Sequence, residues 1–409
     1  MNTISHLPKG WELKKMPEVV KWGSGGTPKA TEDRYYENGT IPWLIIGDLN
    51  DGVVKTSATK ITKLGLENSS AKLIPCGTLL IAMYGSIGKL GITGFECCTN
   101  QAIAFAQKLN GVDTMYLFYY LMMIKPKLVQ MGKGGTQKNI SQTVLNSLYI
   151  PLPPLPTQQA IVTRIEALFA ELDKAVQHLH TAQKQLKTYR QAVLNHWLNN
   201  DDRKWEMVNI SCFLDNSCRG MMTGPFGTAL KKSEHKSCGV PVLGIENIGE
   251  GSFVMPNKIF VTKEKAEELK TFAVKTDDII ISRSGTVGEI CKVPLFMKDA
   301  LLSTNLIRIR LNLDLINADY FVLLFQSSQI KQQVKDLCKG TTRAFLNQTI
   351  LNQISFPLPP LPDQHRIVQE IESRLSQAEA AEASIAEALQ KTEALRQSIL
   401  KKAFSGELV

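Results

Sequence analysis

The sequence predicts an α+β protein with a pseudo-twofold internal repeat: two similar mixed α/β domains separated by two long helices that form an antiparallel intramolecular coiled coil. The segment Pro151-Leu152-Pro153-Pro154-Leu155-Pro156-Thr157-Gln158 returns, 206 positions later, as Pro357-Leu358-Pro359-Pro360-Leu361-Pro362-Asp363-Gln364. Each copy leads into a stretch with a seven-residue apolar period, and each follows a longer stretch of short β-type runs broken by glycine and proline. The predicted layout is a domain over residues 1–150, a helix over 151–200, a second domain over 201–356 and a final helix over 357–409. Copies so few and so long exclude a solenoid array.

In the first domain Ile41-Pro42-Trp43-Leu44-Ile45-Ile46 and Thr78-Leu79-Leu80-Ile81-Ala82-Met83 read as strands, and residues 115–129 as a helix. The second domain offers strands at Asp278-Ile279-Ile280-Ile281 and Leu306-Ile307-Arg308-Ile309, then a helix over 318–334. Further matches tie the halves together. Gly85-Ser86-Ile87-Gly88 aligns with Gly285-Thr286-Val287-Gly288, Thr99-Asn100 with Thr304-Asn305, and Trp11-Glu12 with Trp205-Glu206. The offset drifts between these matches, which places insertions in loops.

The repeated prolines favour an extended path, so Thr157 and Asp363 stand where helix N-caps belong. In the first helix Ile165, Leu172, Leu179, Leu186 and Val193 form one apolar line, and Ile161, Leu168, Ala175, Ala182 and Tyr189 the other. Lines alternating by three and four are a coiled-coil seam. The final helix is looser and rich in alanine, with Ile371, Ile385 and Ile399 among its apolar positions. Each helix would be roughly 60 Å long. Such stripes outreach one domain and most simply bury each other.

The net charge of +9 is uneven: residues 1–150 carry +6 and residues 357–409 carry −2. Basic domains attract phosphate backbones, although so modest an excess also suits an ordinary solvated surface. A hydrophobic share of 44% and a mean hydropathy of −0.08 are those of a soluble globular protein. No apolar run reaches the roughly 18 residues of a membrane span. The stretch Met1-Asn2-Thr3-Ile4-Ser5-His6 lacks the apolar core of a signal peptide. Eight scattered cysteines without a C-x-x-C pair argue for reduced thiols in a cytoplasm, rather than disulfides or a zinc site.

Several glycine loops carry polar and basic residues. They are Ser24-Gly25-Gly26-Thr27-Pro28-Lys29, Tyr84-Gly85-Ser86-Ile87-Gly88-Lys89, Lys133-Gly134-Gly135-Thr136-Gln137-Lys138-Asn139, Arg219-Gly220, residues 223–232, Arg283-Ser284-Gly285 and Lys339-Gly340-Thr341-Thr342-Arg343. Glycine lets backbone approach a ligand; Lys, Ser and Thr suit phosphates, while Arg, Asn and Gln suit base edges. A catalytic constellation is missing: there is no Walker A loop, no G-x-G-x-x-G after a strand, no H-E-x-x-H and no N-P-P-[YF]. The six histidines do not cluster at ligand spacing. No catalytic or metal-binding residue is therefore assigned, and any chemistry belongs to partners.

With the duplicated P-L-P-P-L-P-x-Q entry into a long helix, the Gly10-Trp11 start and the closing Ile399-Leu400-Lys401-Lys402-Ala403-Phe404-Ser405-Gly406-Glu407-Leu408, the whole chain resembles the specificity subunit of Type I restriction–modification systems. The resemblance implies two target-recognition domains, each reading one half of a split, asymmetric double-stranded DNA target. It also implies helices that bind two methyltransferase subunits, joined by motor–nuclease subunits. Adenine-N6 methylation and ATP-driven cleavage would then belong to the assembly, with S-adenosylmethionine, ATP and Mg²⁺ bound by the partners.

On this reading Thr27, Lys29, Ser86, Lys89, Lys133, Thr136, Gln137, Lys138, Arg219, Thr228, Lys231, Arg283, Ser284, Thr342 and Arg343 are candidates for DNA contact. Lys133, Lys138, Lys339 and Arg343 suit phosphates or bases, and Gln137, Arg219 and Arg283 suit base readout. Partner contact is expected on the outer faces and ends of the helices, including Arg190, Trp197 and Phe404, the last two alternatively capping the coiled-coil core. Half-sites about one turn apart, roughly 10 bp, leave a spacer of about six base pairs. Two alternatives stand beside this reading: a recognition subunit of a related Type II system, and a coiled-coil adaptor that does not bind DNA.

Overall fold

The computed structural model describes residues 7–134, 138–199, 204–225, 229–297, 299–338 and 345–408. The chain divides into two compact units, one taking residues up to Leu179 with those from Glu387 onward, the other His180–Ala386. Each unit thus holds one α+β domain and a half of each long helix.

The first unit's strands are β1 (Glu12–Lys15), β2 (Val20–Ser24), β3 (Ile41–Leu44), β4 (Gly52–Val54), β5 (Thr59–Ile61), β6 (Leu79–Ala82), β7 (Leu90–Thr93), β8 (Cys98–Thr99), β9 (Ile103–Leu109) and β10 (Tyr149–Leu152). They form sheets ordered β2-β9-β6-β7-β4, β5-β3-β8 and β1-β10. The second unit's are β11 (Glu206–Asn209), β12 (Met221–Thr223), β13 (Val240–Leu243), β14 (Ile259–Val261), β15 (Ile279–Ser282), β16 (Ile290–Lys292), β17 (Leu301–Leu302), β18 (Leu306–Ile309) and β19 (Ser355–Leu358). Their orders are β12-β18-β15-β16, β14-β13-β17 and β11-β19. The frame repeats strand for strand. Among the described residues, β4 alone lacks a counterpart.

The continuous apolar runs arise because both faces of the main sheet are covered. In β6, Leu79 and Ile81 enter one core cluster while Leu80 and Ala82 enter another. In β15, Ile279 and Ile281 face one cluster and Ile280 the other. Domain helices start on matching caps. Asp113 accepts from the Met115 and Tyr116 amides, and Asn317 accepts from that of Tyr320. The helix expected over 318–334 is two helices, Ala318–Gln326 and Ser328–Leu337. Ser327 is extended between them, and its hydroxyl caps the second by accepting from the Ile330 amide.

The long helices span Leu155–Leu198 and Leu361–Ser405. Thr157 and Asp363 are not their N-caps, since each helix begins two residues earlier. Pro156 and Pro362 fit in the first turn because amides there have no helical acceptor to lose. In the first unit Ile161, Ile165 and Phe169 share a core with Leu400, Ala403 and Phe404. In the second, Val193, Leu194 and Leu198 share one with Ile367, Val368 and Ile371. The start of one helix thus packs with the end of the other in each unit, so the helices are antiparallel. Arg396 pairs with Asp173, and Arg190 lies 3.1 Å from Glu382 and 3.6 Å from Glu379. Along the first seam Ile165 and Val193 are buried, while Leu172, Leu179 and Leu186 are half-buried. On the final helix Ile371 is buried, with Ile385 and Ile399 half-buried.

Candidate nucleic-acid interface

Four segments of the first domain meet at one end of its main sheet. Antiparallel pairing sets Ser24, the end of β2, opposite Ala104 in β9, and Ala82, the end of β6, opposite Ile103. The turns leaving β2 and β6 and the turn entering β9 are therefore neighbours. The fourth segment joins through the backbone: the Ile140 amide donates to Met83 O at 2.9 Å, and the Gly85 amide to Lys138 O at 3.3 Å. The second domain repeats this, with the Leu346 amide donating to Arg283 O at 2.9 Å. A side-chain link recurs too. Gln142 Nε2 donates to Ser24 Oγ at 2.9 Å, and Gln348 Nε2 to Thr223 Oγ1 at 3.1 Å.

The Gly85–Gly88 and Gly285–Gly288 turns have the same geometry. The Gly88 and Gly288 amides donate to Ala82 O and Ser282 O, each at 2.9 Å. All four glycines have positive φ, between 63° and 86°, which L side chains rarely adopt. Gly25 and Gly224 serve another purpose: a Cβ there would lie 2.2 Å from Thr99 O and 2.0 Å from Ser303 O. These glycines admit the protein's own backbone, not a ligand. Matching bonds at the entry to β9 and β18, Ile103 N to Asn100 O and Leu306 N to Ser303 O, equate Asn100 with Ser303. The sequence match of Thr99-Asn100 with Thr304-Asn305 is therefore not the structural equivalence.

Several candidates stand exposed at this end: Thr27, bonded to Gln101; Lys29, 3.5 Å from Glu32; Ser86, Lys133 and Lys138. Lys89 is half-buried beside Ile46 O at 3.4 Å, so its ammonium tethers the loop to its own domain. Ser284 donates to Asn305 Oδ1 at 2.9 Å. Arg283 departs from expectation, being only 7% exposed. Its guanidinium donates to Thr304 O at 3.2 Å and lies 4.2 Å from the centre of the Phe345 ring. Such burial removes it from direct base readout. Arg219 is exposed, but it precedes β12, whereas the recurring loops leave the strand's other end; its carbonyl instead accepts from Arg308 Nη2. Lys231 is exposed on a segment whose Ala229 and Leu230 pack beside β13 and β14. Thr136, Gln137, Thr228, Lys339, Thr342 and Arg343 lie outside the described residues.

The expected partner residues turn inward. Phe404, 3% exposed, sits 4.9 Å from the Tyr116 ring and 5.3 Å from that of Tyr120. Trp197 packs on the second domain's core. Arg190 faces the carboxylates of the final helix rather than outward. Among the described residues no group of three or more His, Cys, Asp or Glu is placed to hold a metal ion.

A family model described as the Type I restriction modification DNA specificity domain matches residues 8–179 and again 226–390. The chain belongs to this family. Over 98% of its length it is 23% identical to the Type I restriction enzyme StySPI specificity subunit of Salmonella potsdam, covering 90% of that protein. It is 25% identical to the EcoKI specificity subunit of Escherichia coli K12, again over 98% of this chain and 90% of the relative. A structure solved in work on complex assembly and conformational transition of the type I R-M system superposes with a TM-score of 0.78. That match is 19% identical and covers 98% of this chain and 99% of the other.

Gln142 and Gln348 anchor the loop cluster, yet in sequence they are only members of the repeated dipeptide Gln142-Thr143 and Gln348-Thr349. The turns entering β9 and β18 supply Gln101, which no motif singled out, and Asn305, which was noted only as part of a repeat match. Exact correspondence of two copies was the available signal, because a position kept in both halves has a shared structural task.

Proposed function

We propose that this chain reads a bipartite, asymmetric double-stranded DNA target. Each domain takes one half-site, and about six unread base pairs lie between them. As a specificity subunit it recognises rather than catalyses, and it scaffolds methyltransferase and restriction subunits through its long helices, in a cytoplasmic assembly. The observation that carries this reading is the recurrence, at the same end of both main sheets, of the same converging loops on different side chains. A shared frame with divergent tips is what two readers of two different sequences require. Thr27, Lys29, Ser86, Lys133, Lys138 and Ser284 are proposed contacts at these tips. Thr136, Gln137, Thr228, Thr342 and Arg343 join them on sequence grounds.

The test is genome-wide mapping of N6-methyladenine in cells that express this chain with its methyltransferase partner, against cells lacking it. A new split motif, one half of which changes when one domain is exchanged, is the expected result. A few residues inserted into both long helices should alter the spacer and leave the half-sites unchanged. An active partner that yields no new motif overturns the reading.

A further inference from the structure

The recurring junction between the turn after β6 or β15 and the segment before the next short helix carries one partly exposed aromatic ring in each unit. In the first unit it is Tyr84 and in the second Phe345, each 37% exposed. The two rings do not occupy equivalent positions. The matching bonds from Ile140 to Met83 and from Leu346 to Arg283 set the register. In that register Tyr84 corresponds to Ser284, and Phe345 to Asn139. The ring comes from one side of the junction in one unit and from the other side in its counterpart. Simple inheritance through duplication would have left both on the same side. A ring reached by two routes at one place points to a task at that place.

The Tyr84 backbone is paired with that of Asn139 by a β-bridge, which fixes where its side chain leaves the chain, and the Phe345 ring is backed by the guanidinium of the buried Arg283. The surroundings are polar: Ser86, Lys133 and Lys138 are exposed in the first unit. An apolar ring among phosphate-seeking groups suits insertion between stacked bases, where it replaces part of the stacking it disrupts. Enzymes that modify a base must take it out of the stack, and a step already opened lowers that cost.

We propose that Tyr84 and Phe345 are the wedges with which each unit opens one base step of its half-site. This rests on the DNA-recognition reading above.

The test uses the full chain purified with its methyltransferase partner, bound to a duplex bearing its mapped motif. Tyr84→Ser and Phe345→Asn install the residue that the other unit carries at the same place, so the fold accommodates them. Each should weaken binding about tenfold, whereas Tyr84→Phe should bind as the parent does. A mismatch walked through the affected half-site should restore most of the loss at one step. In the unaltered complex, 2-aminopurine at that step should brighten on binding. Unchanged affinity in both variants, a loss equal on matched and mismatched duplexes, or no brightening at any step overturns the proposal. Failure of the unaltered complex to prefer its motif over a shuffled duplex counts instead against the recognition reading itself.

Discussion

Gln158, fully buried in the first turn of the central helix, accepts a hydrogen bond from the Asp113 amide at 2.8 Å. Its Nε2 donates to Gly111 O at 3.0 Å and Pro153 O at 2.8 Å. Gln364 repeats all three bonds with the Asn317 amide, Leu315 O and Pro359 O. Tyr116 and Tyr320 complete the joint by donating to Pro151 O and Pro357 O. This glutamine pins three strands of chain at once: the helix cap of the domain, the proline segment and the long helix. Burying an amide side chain is favourable only when its groups are paired, and here each is.

Replacing either glutamine with alanine leaves three backbone groups without this partner, and the proline carbonyl among them, Pro153 O or Pro359 O, loses a buried bond. Gln364→Ala should cost about 3 kcal/mol and lower the melting temperature by about 8 °C. Calorimetry on the purified chain checks this. A shift below one degree would mean that water replaces the amide at no cost.

Phe404→Ala should destabilise the first unit by about 3–5 kcal/mol, the usual cost of emptying a buried aromatic site. The ring is wedged between Tyr116 and Tyr120, and Leu400 and Ala403 in the same turn are also buried. Phe404→Leu should cost much less. Urea titration distinguishes the two variants, and equal stabilities would deny the packing role.

The duplicated frame was legible because a repeat is read by comparing a chain with itself, and one line of the first helix's seam because periodicity reports which face is buried; the other line drifts off that face and leaves Ala175 and Tyr189 exposed. What stayed hidden depends on contacts between distant segments. Arg283 looks like a surface base reader in sequence, since nothing local announces that Phe345 and Thr304 enclose it. Ser327 breaks a helix that apolar spacing alone continues, because its hydroxyl competes for backbone amides. Gln158 and Gln364 were visible only as the last letter of a motif. A polar residue that repeats inside an apolar motif is a sign of a buried, fully bonded joint.

Arg283→Met should reduce methylation at one half-site evenly across its single-base variants. The guanidinium supports the Phe345 ring and Thr304 O, so its loss loosens the loop without exchanging one base preference for another. Methylation rates on a panel of half-site variants test this. A selective gain for one substituted base would mean that the side chain emerges to read that base.

Alkaline pH should unfold the chain through its buried thiols. Burial pushes Cys97 and Cys291 up to about 12 and Cys98 to about 11, from an ordinary value of 9.0. Above pH 9 the unfolded chain releases these protons while the folded chain retains them. Stability is therefore intact below that pH and declines as pH rises toward the folded values, by up to about 1.4 kcal/mol per pH unit for each thiol. Urea midpoints should fall between pH 9 and 11, and the fall should be shallower in Cys291→Ala. At pH 8 a thiol reagent should modify the exposed Cys76, Cys212, Cys218 and Cys238 and spare Cys97, Cys98 and Cys291. Rapid native labelling of Cys291 would mean that the β15–β16 edge opens far more often than its packing implies.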